Sequence, residues 1–327
     1  MTNVQTHMKN YLEYCRWQKR LDEKTLKAYQ IDLKQFDNWL TQGSSLHLPD
    51  ILESAETADS ENITEIIEIT PRVLEDYIAY LHRTYKPKSV KRKIASLKAL
   101  FHYLEYKEII ECNPFSKLQI KFREPVILPK TIPLHIVEQF LSTIYMQHRH
   151  AKTEYQRKTT LRDAATIELL FSTGMRISEL CSLNADDVNL YDRTVLIYGK
   201  GAKERRIQIG NDDVVNILEI YHDQFCSEIQ SCGHFFVNLN GGPLTDQSVR
   251  RMIRKYCSIA SIELHITPHM FRHTFATSLL EADVDIRYIQ EMLGHSSINI
   301  TEIYTHVAMA KQRDILTTKH PRKYFKV

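Results

Sequence analysis

"DVNLYDRTVLIYGKGAKERRIQIG" (residues 187–210) interrupts a region that otherwise reads as helices. Apolar residues alternate at Val195 and Ile197, then at Ile207 and Ile209, on either side of a Gly-Lys-Gly run. A period of two marks strands with one buried face, and the glycines supply a turn. The stretch therefore predicts a small antiparallel hairpin, part of a three-stranded sheet. Around it, "IPLHIVEQFLSTIY", "LRDAATIELLFSTGM", "TDQSVRRMIRKYC" and "TPHMFRHTFATSLL" have helical patterning, and "HFFVN" is a further short extended piece.

The first third is helical throughout. "MKNYLEYCRWQKR" spaces Met8, Tyr11, Leu12 and Cys15 at helical intervals and leaves Trp17 off that stripe. "DEKTLKAYQIDLKQFDNWL" repeats the pattern with Leu26, Tyr29, Leu33, Phe36 and Leu40. Helices over "PRVLEDYIAYLHRTY" and "SVKRKIASLKALFHYLEYKEI" follow. Between the two pairs, Thr41 to Pro71 holds no Lys or Arg but includes Asp50, Glu53, Glu56, Asp59 and Glu61, which predicts a solvated acidic insertion over about 41–65. "NPFSKLQIKFREPVILPKTIP" then carries four prolines and reads as an extended connection. The expected organisation is a helical domain over 1–117, a linker over 118–131, and a second domain over 132–327 with Thr131 as a helix cap. The fold class is mainly α with one small antiparallel sheet.

Composition narrows the function classes. The chain has 327 residues, is 43% hydrophobic and 25% charged, and is sparse in Gly and Pro, which suits two packed domains and excludes extended disorder. No apolar run reaches membrane-spanning length and the start has no apolar signal core, so a soluble cytoplasmic protein is expected. Six scattered cysteines contain no CxxC pair, which predicts reduced buried thiols and no zinc knuckle. A net charge of +3 says little by itself, so clustering must identify any polyanion partner.

Clusters are present. "KPKSVKRKIASLK" (86–98) carries Lys86, Lys88, Lys91, Arg92 and Lys93 without an acid, and its apolar side (Ile94, Leu97) would turn the basic residues outward at a helix start. A second helix presents Arg250, Arg251, Arg254 and Lys255. Two such helices in different domains suggest a clamp on double-stranded DNA. A solvated surface is the plain alternative for either.

A third set of residues sits in apolar or turn contexts. Arg176 follows Gly174 in "STGMRISEL", and Lys200 occupies the hairpin turn. His269 and Arg272 share a face of a helix opened by Thr267-Pro268. His295 follows Gly294, a helix terminator, and Tyr304 comes nine residues later. Singly, each has an ordinary explanation: Arg176 could pair with Glu179, and a lone Tyr is usually core.

As an ordered set, "STGMRISEL", "YGKGAKERRI", "TPHMFRHTFAT" and "LGHSSINITEIYTHV" resemble the signature boxes of the tyrosine recombinase (phage integrase) family, in particular its Xer branch. The resemblance spans nearly the whole chain, including the "KHPRKYFKV" ending. It implies a helical core-binding domain followed by an α+β catalytic domain. It places the family's two arginines on Arg176 and Arg272, its lysine on Lys200, its histidines on His269 and His295, and its nucleophile on Tyr304. Glu179 would orient Arg176. The implied chemistry is DNA cleavage through a 3′-phosphotyrosyl link and strand exchange through a four-way junction, without metal, ATP or other cofactor. The implied assembly is a homo-tetramer, or a hetero-tetramer with a second recombinase, joined by the C-terminal tail and open to activation by a DNA translocase. The acidic insertion departs from the family pattern.

The residues suit that chemistry. Two guanidiniums can grip a phosphodiester with paired, charge-assisted hydrogen bonds. A phenol protonated at neutral pH needs a proton acceptor, for which His269 is the candidate, and the leaving 5′ oxygen needs a donor, for which Lys200 is the candidate. His295 would bond a phosphate oxygen. Chromosome or plasmid dimer resolution is the expected role. A mobile-element integrase, a type IB topoisomerase-like enzyme and an inactive DNA-binding regulator remain as alternatives. A zinc site at His265, His269 and His273 is disfavoured by Pro268 and by the lack of a zincin glutamate.

Overall fold

A computed structural model describes residues 3–41, 65–120, 130–199 and 204–294. The chain divides into two compact units, Met1–Val126 and Ile127–Val327. Lys200, His295, Tyr304, most of the acidic insertion, most of the proline-rich connection and the C-terminal tail lie outside the described residues. No helix among the described residues is long and apolar enough to cross a membrane.

The first unit contains α1 (Asn3–Trp17), α2 (Glu23–Thr41), α3 (Pro71–Thr84) and α4 (Pro87–Tyr106). Local sequence sets the starts of the last two. The Thr70 hydroxyl accepts the Val73 N–H before Pro71, and Pro87 opens α4, so each proline sits where its missing N–H costs nothing. The helical stripes meet in a core of Tyr11, Leu33, Phe36, Tyr77, Leu97 and Phe101. Phe36 and Trp39 pack on Tyr77 with ring centroids 4.8 and 5.1 Å apart. Trp17, off the stripe, is 73% exposed.

One basic residue departs from expectation. Lys86, Lys88, Lys91 and Arg92 are exposed, but Lys93 is buried. Its ammonium lies 3.2 Å from the buried Asp32 carboxylate, donates to Gln35 and sits 4.8 Å from the Tyr85 ring centroid. Asp32 also accepts from Ser96 and Arg92. Lys93 falls on the apolar side of α4, beside Ile94 and Leu97, where a charge persists only when paired. It braces α4 to α2 and does not belong to the outward basic face.

The second unit begins with Ile132 in the core, its N–H donating to Thr274 Oγ1 at 2.8 Å. Thr131 is therefore not a helix cap: the chain stays extended until Pro133, which precedes α5 (Leu134–Arg149). α6 (Glu154–Thr173) starts in a Thr153–Gln156 capping box and is buried on most sides, packing against α5. It ends at Gly174, whose φ of +59° needs no Cβ penalty, and α7 (Ile177–Cys181) follows at once.

The sheet is as the alternation predicts. β1 (Val188–Asn189), β2 (Thr194–Tyr198) and β3 (Glu204–Gln208) pair antiparallel in the order β1-β2-β3. Val195 pairs with Ile207 and Ile197 with Arg205, and Val195, Ile197, Ile207 and Ile209 are all buried. α8 (Asp212–Gln224), α9 (Cys226–Cys232), α10 (Asp246–Ile259), α11 (Pro268–Glu281) and α12 (Ile286–Leu293) complete the described unit. The "HFFVN" piece makes isolated bridges at His234 and Val237. All six cysteines are free thiols, but Cys112 is exposed and Cys181, Cys226 and Cys232 are only half-buried, so the expectation of burial holds for Cys15 and Cys257 alone.

Candidate active site

Arg176 lies outside the helices. It is the last of three residues between α6 and α7 and caps the start of α7, extended at φ −73° and ψ 147°. Gly174 makes this possible. A Cβ at position 174 would lie 2.4 Å from Phe275 Cδ1, so the missing side chain lets the α6–α7 corner press onto α11. Arg176 is thereby brought towards the helix that carries His269 and Arg272.

Glu179 holds Arg176 from behind. Its Oε2 accepts the Arg176 backbone N–H at 2.8 Å, and its Oε1 accepts from Arg176 Nη1 at 2.7 Å. The carboxylate is buried, whereas the Arg176 side chain remains 36% exposed and can reach a ligand. Burial alone would raise the Glu179 pKa. Hydrogen bonds from Arg205 and from the Arg176 backbone reverse this and hold it below the usual carboxylate range.

Arg272 is fixed differently. It is 6% exposed, and its guanidinium donates to two backbone carbonyls: Nη1 to Gly174 at 2.8 Å and Nη2 to Leu293 at 2.7 Å. Those carbonyls end α6 and α12, so one planar group ties both helix termini to α11. A guanidinium fixed before substrate arrives loses little further freedom on gripping a phosphate.

His269 sits in the first turn of α11, on the solvent-facing side. Desolvation by the surrounding protein lowers its pKa, and the positive charges of Arg250, Arg272 and Arg176 lower it further, against an opposing effect of Asp246. A neutral imidazole at physiological pH can accept a proton. His273, one turn on, is lowered for similar reasons. Among the described residues no three His, Cys, Asp or Glu side chains are grouped to hold a metal ion, so His265, His269 and His273 do not gather into one.

The basic residues of α10 divide. Arg251, Arg254 and Lys255 are exposed, and Lys255 lies 4.6 Å from the Tyr256 ring centroid. Arg250 is half-buried and close enough to influence His269. Arg250 and Arg254 line a pocket of about 240 Å³ with His265, Thr267 and Pro268, at the start of α11. α10 thus places cationic groups beside the candidate proton acceptor as well as on the outer surface.

Sequence reasoning missed Arg205, which reaches Glu179 with both terminal nitrogens. The signal was available. Strand periodicity puts position 205 on the same face as Ile207 and Ile209, and an arginine on an inward strand face requires a partner.

The site can therefore present guanidiniums and a neutral imidazole to one anionic group. The sequence pattern of the phage integrase family matches residues 144–311. The chain belongs to that family. It is 64% identical to a tyrosine recombinase of Agathobacter rectalis over 99% of both chains. It is 32% identical to the tyrosine recombinase XerC of Bacillus subtilis over 100% of both. Among solved structures, the XerH site-specific recombinase bound to difH substrate in a pre-cleavage complex shares the fold, with a TM-score of 0.68 and 20% identity over 95% of this chain and 85% of that one. The chain is an Xer-like tyrosine recombinase, and its activity is that of a site-specific recombinase.

Proposed function

We propose that this tyrosine recombinase cuts and rejoins double-stranded DNA with Tyr304 as nucleophile, and that it resolves chromosome or plasmid dimers in the cytoplasm as a tetramer on two DNA sites. The observation that carries the catalytic assignment is the convergence of Arg176, buttressed by Glu179, and Arg272, locked on two carbonyls, around a histidine kept neutral. Arg176 and Arg272 bind the non-bridging oxygens of the scissile phosphate and stabilise the charge that grows there during attack. His269 accepts the phenolic proton as Tyr304 Oη bonds to phosphorus. The bond from phosphorus to the 5′ oxygen breaks, and Lys200 supplies that oxygen with a proton. His295 donates a hydrogen bond to a phosphate oxygen. The phosphotyrosyl ester keeps the bond energy, so the 5′-hydroxyl of a second duplex can reverse the step without ATP.

DNA is the proposed partner of both units. In the first, Lys86, Lys88, Lys91 and Arg92 lie exposed along the start of α4; in the second, Arg251, Arg254 and Lys255 lie exposed on α10. The solved XerH structure holds its substrate, and the full-length likeness to XerC supports the dimer-resolution role. A plasmid carrying two directly repeated copies of the target site separates this reading from its rivals. Resolution into two circles supports it. Relaxation of any supercoiled plasmid without exchange favours a topoisomerase-like activity, and binding without cleavage favours a regulator.

A further inference from the structure

Arg205 is the second residue of β3, five positions after Lys200 in sequence. Its side chain is only 10% exposed. Nη2 donates to Glu179 Oε2 at 2.7 Å and Nη1 to Glu179 Oε1 at 3.1 Å, while Nε donates to the Met292 carbonyl at 2.9 Å. With the two donors from Arg176, the Glu179 carboxylate receives four hydrogen bonds, which is its full capacity. A Cβ at Gly294 would lie 3.0 Å from Arg205 Cδ and Nη1, so the glycine that closes α12 leaves the room this guanidinium occupies. Three segments thus converge on one side chain: β3, the Arg176 corner, and the end of α12, two residues before His295 in sequence.

We infer that Arg205 is a positioning residue of the strand-cleavage reaction, clamping Glu179 so that it aims Arg176 and pinning the α12 terminus to the β-hairpin. Arg205 need not touch DNA to do this. Without it, Glu179 can swing toward Arg176 alone, and the carbonyl of Met292 at the end of α12 loses its donor. The planar fork is essential: a lysine carries the charge but cannot meet both carboxylate oxygens and a carbonyl at once. This inference rests on the proposed roles of Arg176 and Tyr304.

The test uses the full chain and a nicked duplex built on the site recovered by Tyr304-dependent covalent capture from DNA of the source organism. Single-turnover formation of the protein–DNA adduct is measured for wild type, Tyr304→Phe, Arg205→Ala, Arg205→Lys, Glu179→Gln and the Arg205→Lys/Glu179→Gln double variant. DNA affinity and melting temperature are measured beside it. Misaiming a reacting group by about 1 Å can cost on the order of 100-fold, and a loss of that order is expected for both Arg205 variants. Arg205→Lys should keep wild-type DNA affinity and a near-wild-type melting temperature, and the double variant should be no slower than the worse single one, because both act through the same carboxylate. Full rate in Arg205→Lys, strictly additive losses, or a rate that falls only in step with melting or affinity would overturn the inference and leave Arg205 a structural brace. If wild type forms no Tyr304-dependent adduct at all, the functional reading fails, and this assignment falls with it.

Discussion

His269 and Arg272 stand three residues apart on α11 in opposite surroundings, one facing solvent and the other buried beneath two helix termini. The difference suits the roles proposed for them, since a proton acceptor must exchange its proton while an anion grip must not move. Because the folded pKa of His269 lies below the ordinary imidazole value, the group stays neutral through the neutral range and takes a proton only at lower pH. The cleavage rate should therefore be flat near neutrality and fall on the acid side, below the usual imidazole range. Arg250 is part of the cause, after desolvation. Arg250→Gln should raise the His269 pKa and move the acid limb to higher pH, as read from single-turnover rates across pH; an unmoved limb would mean that another group sets it. At this scale the sequence displayed Arg176, Glu179, His269 and Arg272 through order and spacing. It hid Arg205 and the influence of Arg250 on His269, because a partner in space leaves no mark on the chain except an inward-facing charge.

The elements that aim these residues depend on a few contacts. Gly174 has φ +59° and meets the Phe275 ring where a Cβ would go. Gly174→Ala would cost roughly 1–2 kcal/mol in left-handed backbone and about 1–3 kcal/mol in overpacking. It should lower the melting temperature and abolish cleavage together. Adding Phe275→Ala should relieve the clash but not the backbone strain, so recovery should be partial. Full recovery in the double variant would show that the glycine matters only for space. The hairpin was legible because its alternation is strict, as was the α12 end at Gly294. The Thr131 cap was misplaced because Ile132 enters the core before the helix can start, a tertiary preference that local capping signals do not carry. Lys93 departs from its run for a related reason: the charges read as one face in sequence, but Asp32 on α2 draws this one inward.

With Lys93 turned inward, the grip of α4 on DNA falls to its exposed lysines. Each lysine that neutralises a phosphate contributes close to one unit to the slope of log affinity against log salt. Lys88→Ala or Lys91→Ala should each reduce that slope by about one in a DNA titration series. Lys93→Met should lower the melting temperature, by leaving Asp32 short of a counter-charge, and leave the slope unchanged. A changed slope in Lys93→Met would return that residue to the DNA face. The two-unit division was readable from the four prolines between 113 and 133, since a chain so broken cannot continue a helix. The proposed tetramer rests on the tail, which lies outside the described residues. Deleting the residues after Asp314 should prevent tetramer formation on paired DNA sites in sedimentation experiments while leaving single-site binding intact, and unimpaired tetramers would contradict the tail's role. Covalent attachment of Tyr304 to DNA can be tested directly. Wild type and Tyr304→Phe are incubated with sheared DNA from the source organism, protein-linked fragments are recovered after denaturation, and the attached ends are sequenced. Fragments linked through a 3′ phosphate and enriched for one short, near-palindromic site are expected, all absent from Tyr304→Phe. Adducts that persist in Tyr304→Phe, or that scatter without a preferred site, would contradict that expectation.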